Sequence, residues 1–457
     1  MDKYFQHYNQ HLWLDWMDVL IVPVYTALIF VFASQIRDRI LVNSPLKKYF
    51  IPALSLKVFG SIASALVYQY YYQGGDTFNF YTSSSYIHNL TFDNFEDAFL
   101  LQSDQPMYVY PQLWIHQTYL DFVFDSPSWF VVRMITLCSY FTFDTYMGSG
   151  LLFACFSFYA SWRFYTLVVG LYPDLKEEFF YCIFAIPSVV FWGSGIFKDT
   201  LTMAGLLLFL YHTYQIAIVR KNIVRNIPGL LIGFVIVNII RSFFIVLVIP
   251  SFALWYFVSV RDRIKNNLLK AISLPLLLVI SMGFASFGLT RLTSGSGELS
   301  REALTEKSKG FQSYHTEVGG STYDLGEIDY SNTGIIKKMP EAINVTLFRP
   351  YVWEAHSFFQ LISALQSVFF AYYLIKILIQ TRFVGFFSYL LGDSLAMFSF
   401  FFSMLYAFVA GFTSFNFGAL DRYKIPCLPF YMISLIVINY KFRQAALGRM
   451  ARRFVAN

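Results

Sequence analysis

The sequence predicts an all-α protein, a polytopic bundle of about 11 transmembrane helices that forms one integral membrane domain over residues 1–457. Of its 457 residues, 56% are hydrophobic and 14% are charged, whereas soluble domains carry about 25% charged residues. Apolar runs long enough to cross a bilayer recur from residue 17 to residue 440. A chain of this composition cannot cover a water-facing surface, so composition and run length together predict the fold class.

Each long apolar run is predicted to be a helix, because lipid offers the backbone no hydrogen-bond partners. The first run follows acidic residues and has no small-residue cleavage site, which favours a retained span over a signal peptide. The stretch 227–260 would be about 50 Å long as one helix, so we predict two short helices that meet near Arg241. The predicted spans are 17–34, 50–72, 148–172, 179–196, 199–219, 227–240, 242–260, 271–290, 354–379, 386–411 and 425–440.

Basic clusters predict the orientation of the spans. All of them fall on one side when the eleven spans start from an external N-terminus, and positive charge marks cytoplasmic loops. The C-terminus is therefore predicted to be cytoplasmic, in a cytoplasmic (inner) membrane. The clusters are 36–48, 219–225, 260–270 and 441–453.

The same count assigns two external loops. The apolar segment 129–143 would reverse the charge pattern if it crossed the membrane, so we predict an interfacial or re-entrant helix there. Residues 73–147, after the second span, then form a first external loop with interfacial helices. Residues 291–353, after the eighth span, form a second one that is polar, glycine-rich and partly flexible.

Several function classes are disfavoured by composition and motifs. The net charge of +6 comes from clusters beside apolar runs, which fits a lipid bilayer as partner and not nucleic acid. The four cysteines lack CxxC spacing and predict neither a disulfide nor a metal framework. The chain has no GxxxxGK[ST] motif, which argues against ATP-driven chemistry.

Charged residues gather at the predicted outer boundary. Asp76 follows the second span in "YQYYYQGGDTFNFY", Lys198 and Asp199 lie in the turn "PSVVFWGSGIFKDTL", and Arg241 separates two short helices. Charged groups at membrane depth usually line a polar cavity. Two later segments add Arg349, Glu354 and His356 in "LFRPYVWEAH" and Arg422 and Lys424 in "NFGALDRYKIPCLP".

Each of these residues also has a local explanation. Asp76 can be a helix-end acid in water, and Lys198 with Asp199 can be a local ion pair whose acid caps the next helix. Arg241 can reach headgroups. Arg349, Arg422 and Lys424 can anchor the protein at the interface.

Taken together, the charges favour a substrate with a phosphate leaving group. Arginine forks hold phosphate oxygens, and a carboxylate can deprotonate an attacking hydroxyl. The external face lacks ATP, so the donor must carry its own activation. A lipid-linked sugar phosphate meets that requirement.

These residues resemble the GT-C superfamily of polytopic glycosyltransferases, which use polyprenyl-phosphate or polyprenyl-diphosphate sugars. "GGDTFNFYTSSSYI" is similar to the segment that holds an acid after a span in the first external loop, and Asp199 matches a second acid at the start of a later helix. "RMI" at Arg133 is similar to an arginine that follows the first loop. "RYKIPCLPF" resembles the segment that opens a late helix.

The resemblance implies roles for these residues. Asp76 would be the catalytic base and Asp199 a second catalytic or positioning acid. The donor would be a polyprenyl-phosphate-linked sugar and the acceptor a glycan, lipid or protein. The remaining residues would bind substrate: Arg133, Lys198, Arg241, Arg349, Glu354, His356, Arg422 and Lys424.

The chain departs from the superfamily in three respects. A span at 17–34 precedes the one that leads to the acidic loop, and no large soluble C-terminal domain is expected. The first loop lacks a DxD motif, so no metal ligand is assigned and a requirement for Mg²⁺ or Mn²⁺ stays open. The nearest acidic cluster, "DNFED" at 93–97, is predicted to be a solvated surface.

Two other functions share some of these features. An O-antigen-type polysaccharide polymerase also has many spans, an external loop and arginines, but uses a pre-assembled glycan as donor. A lipid-linked glycan transporter or flippase would perform no chemistry. Such transporters often have two similar halves with broken helices at the midplane, and the sequence shows no internal repeat of that kind.

Overall fold

The computed structural model of the protein describes residues 14–261 and 332–456, with isolated residues between 272 and 326. Within this part the regular elements are helices, and the β pairing there is an isolated bridge between Thr322 and Asn416. The all-α prediction is confirmed. The predicted span 271–290, the basic segment 262–270 and the second loop up to residue 331 lie outside the described residues, apart from those isolated positions.

Apolar helices confirm a multi-pass membrane protein. Eight single helices of the described residues, named at the end of this paragraph, are candidate membrane spans. The pair Phe417–Tyr423 and Leu428–Met450, bent by 62° at its break, is one more candidate span. The predicted total of about 11 spans stays a prediction, since the count covers the described residues alone. The 8 helices there that are long and apolar enough to span are Trp16–Ile40, Lys47–Tyr72, Tyr146–Leu171, Lys198–Val219, Ile223–Arg241, Phe243–Val260, Phe358–Leu391 and Ser394–Ser414.

A first compact unit extends to Ala185 and includes Val189–Ile216 and Lys221–Arg241. A π-helical turn, Tyr68–Tyr72, extends its second helix, and a 3-10 helix spans Pro111–Tyr119. Its helices, of which α9 has its first two residues in the second unit, are α1 (Trp16–Ile40), α2 (Lys47–Val67), α3 (Asp76–Asp93), α4 (Phe95–Leu100), α5 (Pro106–Val109), α6 (Ser126–Thr142), α7 (Tyr146–Leu171), α8 (Lys176–Phe180), α9 (Pro187–Trp192), α10 (Lys198–Tyr214) and α11 (Ile223–Arg241).

Small residues let the helices of this unit approach closely. A Cβ on Gly233 of α11 would lie 2.6 Å from the backbone nitrogen of Phe209 on α10. A Cβ on Gly150 of α7 would lie 2.8 Å from Oγ of Ser61 on α2. In lipid, where helices gain little from burying apolar surface, such close contact is a main source of association. These contacts join α11 to α10 and α7 to α2, the helices whose ends are described below.

The segment predicted as the first external loop is largely helical. It contains α3 to α6 and the 3-10 helix, and α6 covers the predicted interfacial helix at 129–143. Asp125 caps α6, because its Oδ2 accepts the Ser128 N–H at 3.3 Å. The side of the membrane on which this segment lies stays a prediction.

A second compact unit starts at Ser242 and includes Ile186–Ser188 and Ala217–Arg220. Its core contains α12, α14, α16 and α18, where Trp255 stacks on Phe398 with ring centroids 4.5 Å apart. Its helices are α12 (Phe243–Val260), α13 (Asn332–Lys337), α14 (Met339–Phe348), α15 (Phe358–Leu391), α16 (Ser394–Ser414), α17 (Phe417–Tyr423) and α18 (Leu428–Ala456).

Several helix boundaries differ from the predicted spans, and two of these places have a local cause. The predicted span 179–196 consists of short helical pieces, interrupted at Ile186 because Pro187 has no N–H to continue the helix. The predicted gap between residues 379 and 386 coincides with a kink inside α15, where Arg382 has a non-helical φ of 56° and ψ of 162°. The next separate helix begins at Ser394, where the Asp393 side chain accepts the Ala396 N–H at 2.9 Å. The predicted break near Arg241 is confirmed.

Candidate functional site

Asp76 opens α3 directly after the chain leaves α2. The π-helical turn ends at Tyr72, and Gly75 then adopts a φ of 120°, which glycine reaches without steric cost. A Cβ on Gly75 would also lie 2.8 Å from Cε1 of Tyr68. Asp76 is exposed and lies in the first turn of α3, where the helix dipole favours a negative charge. Gly74 and Gly75, both with positive φ, therefore form a tight exit from α2 to α3.

The ring of Tyr68 packs against aromatic residues beside Asp76 and beside the start of α10. Its ring centroid lies 6.4 Å from that of Phe78, two residues after Asp76. It also lies 5.5 Å from the ring of Phe197, the residue before Lys198. The exposed carboxylate and Lys198 are therefore on neighbouring helix starts within one unit.

Asp199 and Arg241 form a buried ion pair. The Arg241 Nη2 donates to Asp199 Oδ1 at 2.8 Å, with 15% and 1% of their side chains exposed. Asp199 lies in the first turn of α10, and the N-cap position belongs to Phe197, so the expectation that Asp199 is an N-cap is wrong. Arg241 ends α11, where a cation suits the helix dipole.

Lys198 pairs with an acid that the sequence reasoning missed. Its Nζ lies 3.0 Å from Oδ2 of Asp125, and both side chains are partly exposed, at 25% and 41%. Burial tends to raise the pKa of Asp125, but hydrogen bonds from Ser128 and the charge of Lys198 outweigh it, so the pKa of this carboxyl is lowered. An N-cap signal was visible in "DSPSW", where an acid precedes Ser-Pro. Its partner was not visible, since it lies 73 residues away.

Arg133 supports the loop that precedes α6. Its Nη1 donates to the carbonyl oxygen of Gln102 at 3.0 Å, and its guanidinium lies 5.5 Å from the centroid of the Phe130 ring. These contacts hold the arginine within the helical segment 73–147. Both contacts give Arg133 a structural role. The contact of Arg133 with substrate stays a prediction.

Lys57 is a second residue that the sequence reasoning missed. It lies in the middle of α2 and is fully buried, and its Nζ donates to the Gly193 carbonyl oxygen at 2.9 Å. The hydroxyl of Ser157 donates to the same oxygen at 2.7 Å. Within the described residues no carboxylate pairs with this lysine. A lysine inside a predicted span was the available signal, since such residues are costly and mark functional positions.

The second unit holds a different group of charges. Arg349 Nε lies 3.1 and 3.0 Å from the two carboxylate oxygens of Glu354, and its Nη2 also donates to that carboxylate. The guanidinium lies 5.2 to 5.9 Å from the ring centroids of Phe417, Tyr351 and Tyr323. Burial tends to raise the pKa of Glu354, but the hydrogen bonds from Arg349 prevail and lower it.

Lys424 is buried in the same unit. Its Nζ lies 2.8 Å from Asp421 Oδ1 and 2.8 Å from the Ser363 Oγ, and Ser363 itself donates to Asp421. The lysine is 1% exposed and belongs to the interior of the unit. Arg422, on α17, is half-buried, and His356 is exposed just before α15. Asp421 was missed, although it stands inside the quoted "DRY" segment.

The structure therefore divides the predicted residues into two groups. Asp76, Arg133, Lys198, Asp199 and Arg241 belong to the first unit. The others belong to the second unit, namely Arg349, Glu354, His356, Arg422 and Lys424.

No three His, Cys, Asp or Glu side chains in the described part of the chain group so that they can hold a metal ion. The candidate site in the first unit consists of the exposed carboxylate of Asp76 and two ion pairs. These pairs are Lys198 with Asp125 and Arg241 with Asp199. No family model, curated protein or solved structure matches the chain.

Proposed function

We propose that the protein is a membrane glycosyltransferase that moves a sugar from a polyprenyl-phosphate or polyprenyl-diphosphate donor to an acceptor hydroxyl on the extracytoplasmic side. One observation carries the proposal. Exposed Asp76 and partly exposed Lys198 lie at two helix starts that share Tyr68 as a packing partner. A base and a cation placed in this way suit attack by a hydroxyl and departure of a phosphate.

In this proposal Asp76 is the general base. Its carboxylate takes the proton of the acceptor hydroxyl while the hydroxyl oxygen attacks the anomeric carbon of the donor. The bond from that carbon to the phosphate oxygen breaks, and its electron pair leaves with the phosphate. A carboxylate exposed at the end of a span is accessible to both substrates.

Lys198 is the group that stabilises the departing phosphate. Its ion pair with Asp125 is partly exposed, and such pairs contribute about 0–1 kcal/mol. Exchanging Asp125 for a phosphate oxygen therefore costs little. The start of α10 adds backbone N–H groups that favour the same negative charge.

Arg241 supplies a positively charged guanidinium to the site, and Asp199 holds that guanidinium in place. Because Asp199 is buried and bonded to Arg241, we assign it to positioning the guanidinium and not to proton transfer. An arginine held in this way needs no reorganisation when negative charge develops nearby. The residues of the second unit keep their predicted substrate-binding roles, but no step above depends on them.

The test uses the full-length protein in proteoliposomes with a panel of radiolabelled polyprenyl-phosphate and polyprenyl-diphosphate sugars. Asp76→Asn keeps the shape of the side chain and removes the base, so we expect the transfer rate to fall by roughly 10²–10⁴-fold. Asp93→Asn, an exposed acid at the other end of α3, is the matched control and keeps the wild-type rate.

Three results would contradict the proposal or its parts. Wild-type transfer by Asp76→Asn removes the base assignment. A wild-type protein that leaves every donor intact while moving it across the bilayer is a transporter. Products that contain many repeat units identify a polymerase.

A further inference from the structure

A hydrogen-bonded chain of three titratable side chains lies in the segment 73–147, apart from the site above. His116 Nε2 lies 3.0 Å from Asp97 Oδ2, and His116 Nδ1 lies 2.7 Å from the Tyr86 hydroxyl. The three residues come from α4, the 3-10 helix and α3. Tyr86 is ten residues after Asp76 on α3, about 15 Å along the helix axis, so the two sites are distinct.

The bonding fixes which atom donates. A carboxylate accepts hydrogen bonds only, so the proton of a neutral His116 lies on Nε2 and points to Asp97. Its Nδ1 then presents a lone pair, and the Tyr86 hydroxyl donates to it. This is the arrangement in which a base withdraws a proton from a hydroxyl while a third group orients the base.

The carboxylate that orients His116 is itself held in place. Asn94 caps α4, and its Nδ2 donates to Asp97 Oδ2 at 2.8 Å while the Asp97 N–H returns a bond to Asn94 Oδ1 at 3.2 Å. The side chains of His116 and Asp97 are 8% and 15% exposed. The expectation that "DNFED" is a solvated surface is therefore wrong for Asp97. It holds for Asp93 and Glu96, which are exposed.

The surroundings of this relay are apolar and exposed. Phe95 and Phe99, on either side of Asp97 in α4, are 67% and 66% exposed. Ile115, next to His116, is 71% exposed. Exposed apolar side chains on short helices between two membrane spans are typical of a surface that rests in the lipid interface.

We propose that Asp97, His116 and Tyr86 form a second site, a polarised hydrogen-bond relay that binds the hydroxyl of a lipid headgroup. The headgroup hydroxyl donates a hydrogen bond to the Tyr86 oxygen, while the Tyr86 hydroxyl donates to His116 Nδ1 and His116 Nε2 donates to Asp97. The two inner hydrogen bonds draw positive charge toward Asp97 and make the Tyr86 oxygen a stronger acceptor and nucleophile. The site is independent of the glycosyl transfer proposed above.

The relay is tested by its reactivity toward sulfonyl fluorides, with no transfer assay. The Tyr86 oxygen attacks sulfur, the S–F bond breaks, fluoride leaves with the electron pair, and the tyrosine proton moves to His116. Labelling of the purified full-length protein with hexadecylsulfonyl fluoride is followed by mass spectrometry. We expect Tyr86 to react roughly 100-fold faster than Tyr108, an exposed tyrosine of the same segment that serves as internal reference.

Variants separate activation from exposure. His116→Asn and Asp97→Asn each lower the rate at Tyr86 to that of Tyr108, and the second variant serves where the first does not fold. His88→Asn, which removes a histidine of α3 that is bonded to Ser139 instead, leaves the rate at Tyr86 unchanged. Labelling of Tyr86 no faster than Tyr108, or unaffected by both relay variants, overturns the proposal.

A second probe tests the class of ligand. Phenylmethylsulfonyl fluoride carries the same reactive group without a lipid chain. We expect Tyr86 to react at least tenfold faster with the hexadecyl reagent, because its chain can lie along the exposed apolar surface. Equal rates for the two reagents overturn the assignment to a lipid headgroup.

Discussion

Among the charged residues considered for the site, the ion pairs of the two units differ in how far apart their partners lie along the chain. In the first unit, Asp199 and Arg241 are 42 residues apart, and Asp125 and Lys198 are 73 apart. In the second, Arg349 and Glu354 are five residues apart. Asp421 and Lys424 are at i and i+3.

This difference separates charges fixed by the tertiary fold from charges fixed by local backbone. An ion pair between distant helices forms only when both helices pack correctly. The loss of unfolding free energy on removing one partner therefore measures how strongly the packing depends on the pair. A local pair can re-form with neighbouring acceptors when one partner is lost. The predictions below test this contrast.

The largest effect is expected for Asp199→Asn. It removes the carboxylate that accepts from the buried Arg241 guanidinium at 2.8 Å, and breaking one side of a buried ion pair costs about 3–5 kcal/mol of unfolding free energy. Denaturant unfolding of the purified protein in detergent measures the change. The double variant Asp199→Leu with Arg241→Met is the control and regains most of the loss, because it leaves no buried charge unpaired. A loss below about 1 kcal/mol would show that this pair resembles a surface pair.

A smaller effect is expected for Asp421→Asn. Lys424 keeps the Ser363 hydroxyl at 2.8 Å and the Arg349 carbonyl oxygen at 3.5 Å. The loss is therefore about 1–3 kcal/mol, measured by the same unfolding assay. Ser363→Ala, which removes one of the remaining acceptors, adds to the loss when combined with it. A loss as large as that of Asp199→Asn would remove the contrast between the units.

Glu354→Gln is expected to change the pH dependence of stability. The lowered pKa of Glu354 means that its contribution is complete above about pH 4.3, the ordinary value for glutamate, and is lost as the pH falls through the folded-state value. The unfolding free energy of the wild type should exceed that of the variant by about 1 kcal/mol at pH 7. This difference in unfolding free energy should shrink below about pH 4. A difference that stays constant down to pH 3 contradicts this assignment.

Lys198→Met should have the smallest effect on stability. Its pair with Asp125 is partly exposed, and Asp125 keeps its bond to Ser128, so the loss is about 0.2–1 kcal/mol. Donor KM rises if Lys198 holds the phosphate, which initial-rate measurements would detect. Lys176→Met, at the start of α8, is a control that changes neither quantity. A large loss of stability would place Lys198 among the buried pairs.

Local features of the site were predictable from the sequence. Gly74 and Gly75, directly before Asp76, are residues typical of a tight turn and indicate the exit from α2. Arg349 precedes a proline, which disfavours helical backbone at that residue, and its φ of −112° and ψ of 158° are extended. The break near Arg241 followed from the length of the apolar run.

The long-range partners were not predictable. Asp125 and Lys198, or Tyr86 and His116, meet because their helices pack at particular rotations. The partners lie 73 and 30 residues apart on separate elements, and no sequence pattern relates positions so far apart. The same limit explains why Asp97 could not be distinguished from its exposed neighbours Asp93 and Glu96.

Lys57 has a consequence for how the protein enters the membrane during synthesis. A lysine at the centre of a helix costs about 2.5–3.5 kcal/mol on insertion, and its acceptor, the Gly193 carbonyl, is 136 residues further along the chain. Until that later segment leaves the ribosome, α2 must keep this charge near water or at the translocon wall. We therefore expect α2 to reach its final depth only after the chain through Gly193 has been made, and the exit that presents Asp76 to be set at that late stage.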